Sequence, residues 1–345
     1  MNLKQKTFNY WIRCYLYNNK YILFLRRKRS CLFDVILALS LPYLLLRWGI
    51  LVLLENLYGK SRIKREMKRE RNLNFAHELA MVSISKNEGP YIREWIEYHK
   101  LMGFTKFYFY DNESEDDTKS ILQPYIENGL VEYVFIPGKA RQLDAYNDAI
   151  RRHKSECRWM AFLDMDEYLM PTIPFQSVAE VLSSIVQQAD KGACGVGINW
   201  AVYGSSHFEK KPKGLIIENF VYRSLNNHWA NYHVKTICNP RMVVDYVSPH
   251  YPIYKIGGYS VNESDGKRQY GWFCHKVKYQ HLRINHYYTK SKEQYIQKCS
   301  RGLGDRVGKY KMDRFNQLDL NDIYDDSMLV YARPLKNAVL QLEKS

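Results

Sequence analysis

Three acidic residues, Asp164, Asp166 and Glu167, follow an apolar run that begins at Trp159 in the segment WMAFLDMDEYLMP. Such a run is typical of a strand that is buried on both faces, as in a parallel sheet. Because side chains alternate across a strand, we expect Asp164 and Asp166 to project to the same side. Two carboxylates there could hold a hard divalent ion, Mn²⁺ or Mg²⁺, together with phosphate oxygens. The D-x-D spacing alone also fits ordinary surface acids.

The elements that would position these acids begin near residue 78. Apolar segments at 78–85, 104–111 and 131–137, and the run from Trp159, alternate with helical patterns. Strands that alternate with helices form βαβ units, which build a parallel sheet with right-handed crossovers. We therefore predict an α/β fold with helices on both faces of a Rossmann-like parallel sheet.

Polar residues stand where three of these strands end, and the carboxyl ends of parallel strands form the ligand crevice of such sheets. They are Lys86, Asn87 and Glu88 after the first strand, Asp111 and Asn112 after the second, and Asp164 and Asp166 after the fourth. This set of groups suits a nucleotide. Beyond Pro171, a helix over SVAEVLSSIVQQ and short strands such as GVGINWAVYG and LIIENFVYR predict a mixed region that receives a second substrate.

The net charge of +15, from 51 Lys and Arg against 36 Asp and Glu, indicates an anionic partner such as a membrane surface, a phosphorylated substrate or nucleic acid. Much of the excess lies within residues 26–71, which favours an anionic membrane surface. The seven cysteines form no C-x-x-C pair, which argues against a disulfide framework or zinc site and favours a reducing compartment.

Residues 31–54 are the most apolar segment and have the length of a membrane span. Asp34, Pro42 and Arg47 interrupt the segment, and both flanks are basic. An in-plane or re-entrant anchor, a single transmembrane helix and a soluble helical extension all stay open. We predict a membrane-associating segment at 1–58, a basic linker or helix at 59–77, and a location on the cytoplasmic face of a membrane.

Five ordered blocks resemble the family-92 glycosyltransferases and their close relatives within family 2. They are ISKNEGPYIREWIEYHKLMGFTKFYFYDNESEDDT, RQLDAYNDAI, RWMAFLDMDEYL, NWAVYGSS and NHYYTKSKEQYIQKCSRG. The resemblance places a GT-A domain at 78–303, with a C-terminal helical tail at 304–345. It implies transfer of a sugar from a nucleotide-sugar donor to an acceptor, with inversion and with a divalent metal, Mn²⁺ or Mg²⁺.

The same resemblance implies roles for residues of the matched blocks. Asp164, Asp166 and His286 would hold the metal against the donor diphosphate, while Glu167 would support the site or face the sugar. The 86–88 turn and the Asp111–Asn112 pair would contact base and ribose.

Three further residues carry weaker predictions. Lys235 and Arg241, in VKTICNPRMVV, are possible phosphate-binding cations, with plain surface charge as the alternative. Trp200 is a possible sugar-stacking residue, with core packing as the alternative.

Inversion in a single displacement needs a carboxylate that takes the proton from the acceptor hydroxyl. Glu263 and Asp265, in a loop of the second half, are the first choices, and Glu167 and Glu218 follow them. Each of these acids is also explained as a solvated loop residue.

The apolar and basic N-terminus associates the chain with a membrane on which a glycan or lipid-linked acceptor is assembled, as in surface polysaccharide or lipopolysaccharide biosynthesis. A non-catalytic basic membrane- or RNA-binding protein is one alternative, and a metal-dependent phosphotransferase is another. Acids rather than bases cluster at the strand ends, so no nucleic-acid partner is expected. The sequence has no P-loop and no G-x-G-x-x-G motif.

Overall fold

The computed structural model describes residues 53–70, 72–189, 192–274, 276–301 and 312–342, a few positions between 42 and 50, and residue 308. The strands are β1 (His77–Ser85), β2 (Lys106–Asp111), β3 (Val131–Phe135), β4 (Cys157–Phe162), β5 (Glu167–Pro171), β6 (Ala193–Val202), β7 (Tyr222–Arg223), β8 (Val234–Cys238), β9 (Val243–Ser248), β10 (Tyr251–Tyr254), β11 (Tyr259–Asn262), β12 (Arg268–Gln269), β13 (Leu282–His286) and β14 (Ile323–Tyr324).

The helices are α1 (Lys60–Glu70), α2 (Gly89–Leu101), α3 (Thr118–Glu127), α4 (Gln142–His153), α5 (Val178–Gln188), α6 (Ile216–Asn219), α7 (Lys292–Arg301), α8 (Met312–Leu318) and α9 (Ala332–Leu342). A π-helical turn spans Glu55–Gly59, and 3-10 helices span Trp229–Tyr232, Pro240–Met242 and Leu329–Tyr331.

Ten of the described strands form one sheet in the order β12-β11-β6-β8-β4-β1-β2-β3, with β13 paired to both β6 and β5. Strands β4, β1, β2 and β3 are parallel, which confirms the predicted α/β architecture. Strand β8 runs antiparallel between β4 and β6. The second half of the chain therefore extends the same sheet, and its strands lie beside the predicted nucleotide-binding half.

The sheet is covered on both faces. One core cluster contains Trp95 and Ile96 from α2 and Leu182 from α5, and the other contains Tyr146 and Ile150 from α4. Ile92 lies three and four residues before Trp95 and Ile96, and Ile150 lies four residues after Tyr146, so each of these helices has one apolar face that is buried against the strands.

The predicted strand through the acidic cluster is wrong in one respect. Strand β4 ends at Phe162, the chain turns, and β5 begins at Glu167. The Glu167 amide donates to the Asp164 carbonyl at 3.0 Å, and the Asp164 amide donates to Glu167 Oε2 at 2.9 Å. Asp164 and Asp166 therefore lie on a turn, where the alternation of a strand does not apply, and each has different partners.

The segment LIIENFVYR is also not the predicted strand. Its first part forms α6, because the Glu94 carboxylate accepts hydrogen bonds from the Ile216 and Ile217 amides at 2.9 and 3.2 Å. A buried carboxylate at this N-terminus satisfies amides that a helix leaves without partners. Tyr222 and Arg223 then form the short strand β7.

The region predicted as a helical tail is mixed. It contains α8 and α9, but β14 pairs with β7 and ties the tail to the domain. Asp325, which follows β14, accepts hydrogen bonds from Arg223 Nε at 2.5 Å and from Arg283 Nη1 at 2.8 Å. Burial alone would raise the pKa of Asp325, but Arg283 and the hydrogen bonds hold this pKa well below its usual range.

At the other end of the chain, the predicted basic linker or helix is a helix, α1, that docks on the domain. Ile63 is fully buried, and Glu70 Oε2 accepts hydrogen bonds from Asn239 Nδ2 and Arg241 Nη2 at 2.6 and 2.9 Å. Most of the apolar segment 31–54 lies outside the described residues. Within the described part of the chain, no helix combines the length and apolar character needed to cross a membrane.

We expect Asp325→Asn to lower the free energy of unfolding by about 3 kcal/mol, because it leaves the buried Arg283 guanidinium without its counter-charge. Denaturant unfolding measures this loss. The neighbouring exposed residue offers a matched control, Asp326→Asn, which should change stability by less than about 0.5 kcal/mol.

The same pair predicts a pH dependence. Because the folded pKa of Asp325 is depressed, its contribution is fully present above the unfolded carboxyl pKa of about 3.9 and is lost as pH falls through the folded pKa. Acid unfolding of Asp325→Asn should therefore be less steep below about pH 4 than that of the wild type. Equal slopes would contradict a stabilising ion pair.

Candidate active site

The loops that follow β1 and β2 are bonded to each other at one edge of the sheet. Asn87 Oδ1 accepts from the Glu115 amide at 2.7 Å, and the Asn87 amide donates to Ser114 Oγ at 2.9 Å. Asn87 has a φ of 53°, a left-handed conformation that Asn tolerates better than most residues. The predicted convergence of these two strand ends is present, and the carboxyl end of β4 lies beside them because β4 pairs with β1.

Asp111 and Asn112 organise this edge of the sheet. Asp111 is buried and accepts hydrogen bonds from Tyr133 OH at 2.6 Å and from the Ser114 amide at 3.0 Å. Asn112 Nδ2 donates to the carbonyls of Ile136 and Gly138, both at 2.8 Å. These hydrogen bonds give both side chains a structural role in holding the loops. Their predicted contacts with base and ribose stay predictions. Lys86 and Glu88 flank Asn87 and are partly buried.

Asp164 faces the crevice from the turn after β4, and its side chain is 36% exposed. Its Oδ1 accepts a hydrogen bond from Gln142 Nε2 at 2.8 Å, and its Oδ2 accepts one from Lys235 Nζ at 3.0 Å. Gln142 begins α4 and Lys235 lies on β8. The carboxylate is therefore oriented by one residue from each half of the sheet.

Lys235 is the centre of a buried acid-base group. Its Nζ lies 3.4 Å from Glu167 Oε2 as well as 3.0 Å from Asp164, and its side chain is only 1% exposed. Burial raises the pKa of Glu167 to about 8, against the opposing effect of Lys235. Burial would lower the pKa of Lys235, but Asp164 and Glu167 hold it well above its usual range. Lys235 therefore carries a positive charge at neutral pH, inside the site and not on the surface.

Glu167 itself is fully buried, so it supports the Asp164 turn and does not face a substrate in this arrangement. Its second oxygen, Oε1, has no hydrogen-bond partner among the described residues. The first of the two roles implied for Glu167, support of the site, is the one that this geometry favours.

Asp166 is paired with residues from the C-terminal half. Its Oδ2 accepts a hydrogen bond from Lys298 Nζ at 2.6 Å, and its Oδ1 lies 3.4 Å from His286 Nε2. Burial alone would raise the pKa of Asp166, but Lys298 and His286 hold it well below its usual range. His286 reaches this position because β13 pairs with β5, with His286 opposite Glu167.

Asp164, Asp166 and His286 have the ligand chemistry of a divalent-metal site, but their described positions do not assemble one. Each carboxylate is paired with a lysine ammonium group, which occupies acceptor positions that a cation would need. Within the described residues, no group of three His, Cys, Asp or Glu side chains is placed to hold a metal ion. The predicted Mn²⁺ or Mg²⁺ stays a prediction.

The acids predicted as a general base lie in different surroundings. Glu263 is buried, and its Oε2 accepts from the His281 and Leu282 amides at 2.9 and 3.2 Å. These bonds favour a structural role for Glu263. Asp265 is exposed in the turn between β11 and β12 and accepts from the Lys267 amide at 3.1 Å. No described contact joins Asp265 to the Asp164–Asp166 group.

Trp200 lies next to the acidic group, with its ring centroid 4.3 Å from that of His286. It is partly buried and packs on other aromatic rings as well, so core packing and a place at the site both apply. His250 also contacts the Trp200 ring, and its Nδ1 donates to the Val234 carbonyl at 2.9 Å.

Sequence reasoning missed Gln142 and Lys298, which hold the two aspartates. Both residues lie inside the matched blocks, in RQLDAYNDAI and NHYYTKSKEQYIQKCSRG. Their presence in those blocks was the available signal. Neither is a carboxylate or a histidine, so a search for metal ligands and for the carboxylate base of an inverting transfer passes over them.

In open α/β sheets the ligand crevice lies at the carboxyl ends of the strands, and the pairs of acids and lysines lie at that edge here. The chain belongs to glycosyltransferase family 92, because the model of that family matches residues 85–321, more than half of its length. The domain has the GT-A class of fold that the resemblance implied. The match extends beyond the predicted boundary at 303 and includes α8.

Two plant proteins illustrate the similarity. The Arabidopsis thaliana glycosyltransferase family 92 protein At1g27200 is 33% identical over 118 residues, which cover 34% of this chain and 20% of the relative. The Arabidopsis thaliana galactan beta-1,4-galactosyltransferase GALS3 is 29% identical over 111 residues, which cover 29% of this chain and 21% of the relative. The chain thus spans about a fifth of the length of the curated relatives it matches.

Among solved structures, a fragment of S. aureus TarS in complex with UDP aligns at a TM-score of 0.32 and 13% sequence identity, over 48% of this chain and 47% of that chain. The same fragment has been solved with UDP-GlcNAc, at a TM-score of 0.32.

We expect Lys235→Met to lower the free energy of unfolding by about 3–5 kcal/mol, because the buried Glu167 and the partly exposed Asp164 then lose their common cation. Denaturant unfolding measures the loss. The control is Lys255→Met, which removes an ion pair to Glu66 at 3.5 Å from a side chain that is 37% exposed, and which should cost less than about 1 kcal/mol. Equal losses in the two variants would contradict a central role for Lys235.

Proposed function

We propose that the protein is a glycosyltransferase that moves a sugar from a nucleotide-sugar donor to a glycan or lipid-linked acceptor, with inversion. The observation that carries the proposal is the cluster of Asp164, Asp166, Lys235 and Lys298 at the carboxyl edge of the sheet in a chain of family 92. A non-catalytic protein that binds a membrane or RNA through basic residues would not require acidic residues that are each paired with a buried lysine.

The chemistry of the donor explains why cations belong there. As the glycosidic bond breaks, negative charge grows on the leaving nucleoside diphosphate, and preorganised positive groups lower the energy of that state. Lys298 is the better placed lysine for this role, because its side chain is 9% exposed whereas that of Lys235 is 1% exposed. Lys235 is more deeply enclosed and keeps Asp164 in position.

Support for a nucleotide-sugar donor also comes from the similar proteins. The TarS fragment was solved with UDP and with UDP-GlcNAc, and GALS3 is named as a galactan galactosyltransferase. We propose a uridine nucleotide as the first donor to test. We also propose that the cofactor is Mn²⁺ or Mg²⁺, as the family resemblance implies.

We expect UDP to bind the full chain and Asp166→Asn to weaken this binding at least tenfold, because the variant disturbs Lys298 and removes a predicted metal ligand. Calorimetric titration with and without Mn²⁺ measures both effects. The control is Asp144→Asn, an exposed acid on α4 that is 57% accessible, which should leave UDP affinity unchanged. Binding that ignores Mn²⁺ would refute the metal requirement, and absence of UDP binding would refute this donor class.

We also propose that the protein works at the cytoplasmic face of a membrane, with an acceptor assembled there, as in surface polysaccharide or lipopolysaccharide biosynthesis. Helix α1 is held rigidly on the domain and presents a row of exposed basic residues, namely Arg62, Lys64, Arg65, Lys68 and Arg69. Just upstream, Leu57 and Tyr58 are 56% and 69% exposed. Basic charge beside exposed apolar side chains suits the surface of an anionic bilayer.

We expect the full chain to bind vesicles that contain phosphatidylserine, and the variant with alanine at Lys64, Arg65, Lys68 and Arg69 to bind at least tenfold more weakly. The reason is that each basic residue near such a surface contributes about 1 kcal/mol. Vesicle sedimentation measures the affinity. The control replaces four exposed lysines elsewhere with alanine, namely Lys119, Lys139, Lys154 and Lys213. Equal weakening by both sets would point to net charge and not to α1.

A further inference from the structure

A continuous set of aromatic rings leads from the acidic group to the protein surface. Trp200, whose ring centroid lies 4.3 Å from that of His286, stacks on His233 at 4.9 Å with 12° between the planes. His233 contacts Trp272 at 5.0 Å and Trp229 at 5.9 Å. We call these five residues the aromatic wall.

Backbone pairing holds the outer part of the aromatic wall in place. The Val234 amide donates to the Trp272 carbonyl at 3.1 Å, and the Cys274 amide donates to the Tyr232 carbonyl at 2.7 Å. The segment that carries Trp272 is therefore bonded alongside the segment that carries His233. The ring positions follow from a paired backbone and are not those of loose surface side chains.

The outer end of the aromatic wall remains open to solvent. Trp229 is 40% exposed and Trp272 is 37% exposed. Both tryptophans contact the His233 ring, and exposed aromatic side chains grouped in this way form an apolar surface that soluble proteins usually reserve for a ligand. Among the described residues, Arg314 is a positively charged residue in contact with the wall, and its guanidinium carbon lies 4.9 Å from the Trp229 ring centroid.

The inner end of the wall offers polar atoms that lack partners. Trp200 Nε1 and His286 Nδ1 are both buried and have no hydrogen-bond partner among the described residues. A buried polar atom without a partner costs free energy, which a ligand with hydroxyl groups would recover. His286 also contacts Asp166, so these atoms stand directly beside the proposed donor site.

The wall carries little charge of its own. Burial lowers the pKa of His233 to about 4, and burial with the nearby Lys235 lowers the pKa of His250 well below its usual range. Both imidazoles are therefore neutral at physiological pH. A surface of uncharged aromatic rings suits a neutral polyhydroxylated ligand better than a phosphate.

We propose that the aromatic wall is the acceptor subsite and that its open end binds a neutral pyranose chain, whose apolar ring faces stack on Trp272 and Trp229. This inference rests on the proposed function and names the acceptor class. The bound end of the glycan points along the wall toward His286 and Asp166, and the rest of the glycan extends over the exposed tryptophans.

The experiment measures two kinds of affinity on the same full-length protein. One is the affinity for UDP. The other is the affinity, in the presence of UDP, for each of three neutral oligosaccharide probes: β-1,4-galactotetraose, cellotetraose and chitotetraose. We expect at least one probe to bind, and Trp272→Ala and Trp229→Ala each to weaken it about tenfold while UDP affinity stays within twofold. Trp272→Phe keeps a ring and should retain an intermediate affinity. The control is Phe135→Ala, which removes an aromatic ring that is 57% exposed at the far edge of the sheet.

The outcomes separate the two proposals. If UDP binds but no probe does, or if the tryptophan variants bind the probe as well as the wild type, the subsite is refuted and the donor site stands. If phosphatidylserine vesicles quench the tryptophan fluorescence, Trp272→Ala removes this quenching and none of the probes binds, the wall binds a lipid. The glycan proposal is then overturned. If UDP itself does not bind, it is the proposed function that fails.

Discussion

The burial of charge at the carboxyl edge of the sheet is the constraint on which the rest of the structure depends. Asp166, Glu167 and Lys235 are almost completely enclosed, and a charge taken out of water is tolerated only with a partner in contact. Lys235 meets this need for Asp164 and Glu167, and Lys298 meets it for Asp166. Burying acids in defined positions costs folding free energy. Such an arrangement is expected of a functional site and not of a hydrophobic core.

These pairings explain why the second half of the chain folds back onto the first. The antiparallel strand β8 inserts between β4 and β6 and carries Lys235 to the turn after β4. Strand β13 then pairs with β5 and β6 and brings His286 to Asp166. Behind this strand, Asp325 ties Arg223 and Arg283 to the C-terminal region. The two halves therefore form one site at their junction, because neither half alone can neutralise its buried charges.

The same junction separates two surfaces of different chemistry. On one side of Asp166 lie the charged and hydrogen-bonding groups of Lys298, Lys235 and Gln142, and on the other lie the aromatic rings of His286 and Trp200. Two substrates that differ in charge would be sorted by this boundary. Helix α1 is docked through Ile63 and Glu70, so any surface that binds its basic face would hold the site in a fixed orientation.

The sequence by itself determined the alternation of strands and helices from His77 to Phe162, because apolar period and turn residues report local structure directly. It also located Asp111, Asp164 and Asp166 at strand ends. Tertiary structure alone decided the turn after Phe162, the helix at Ile216, and the pairing of each aspartate with its own lysine. Those features depend on contacts between residues as distant in the chain as Asp166 and Lys298, and no local pattern encodes which buried charge will meet which partner.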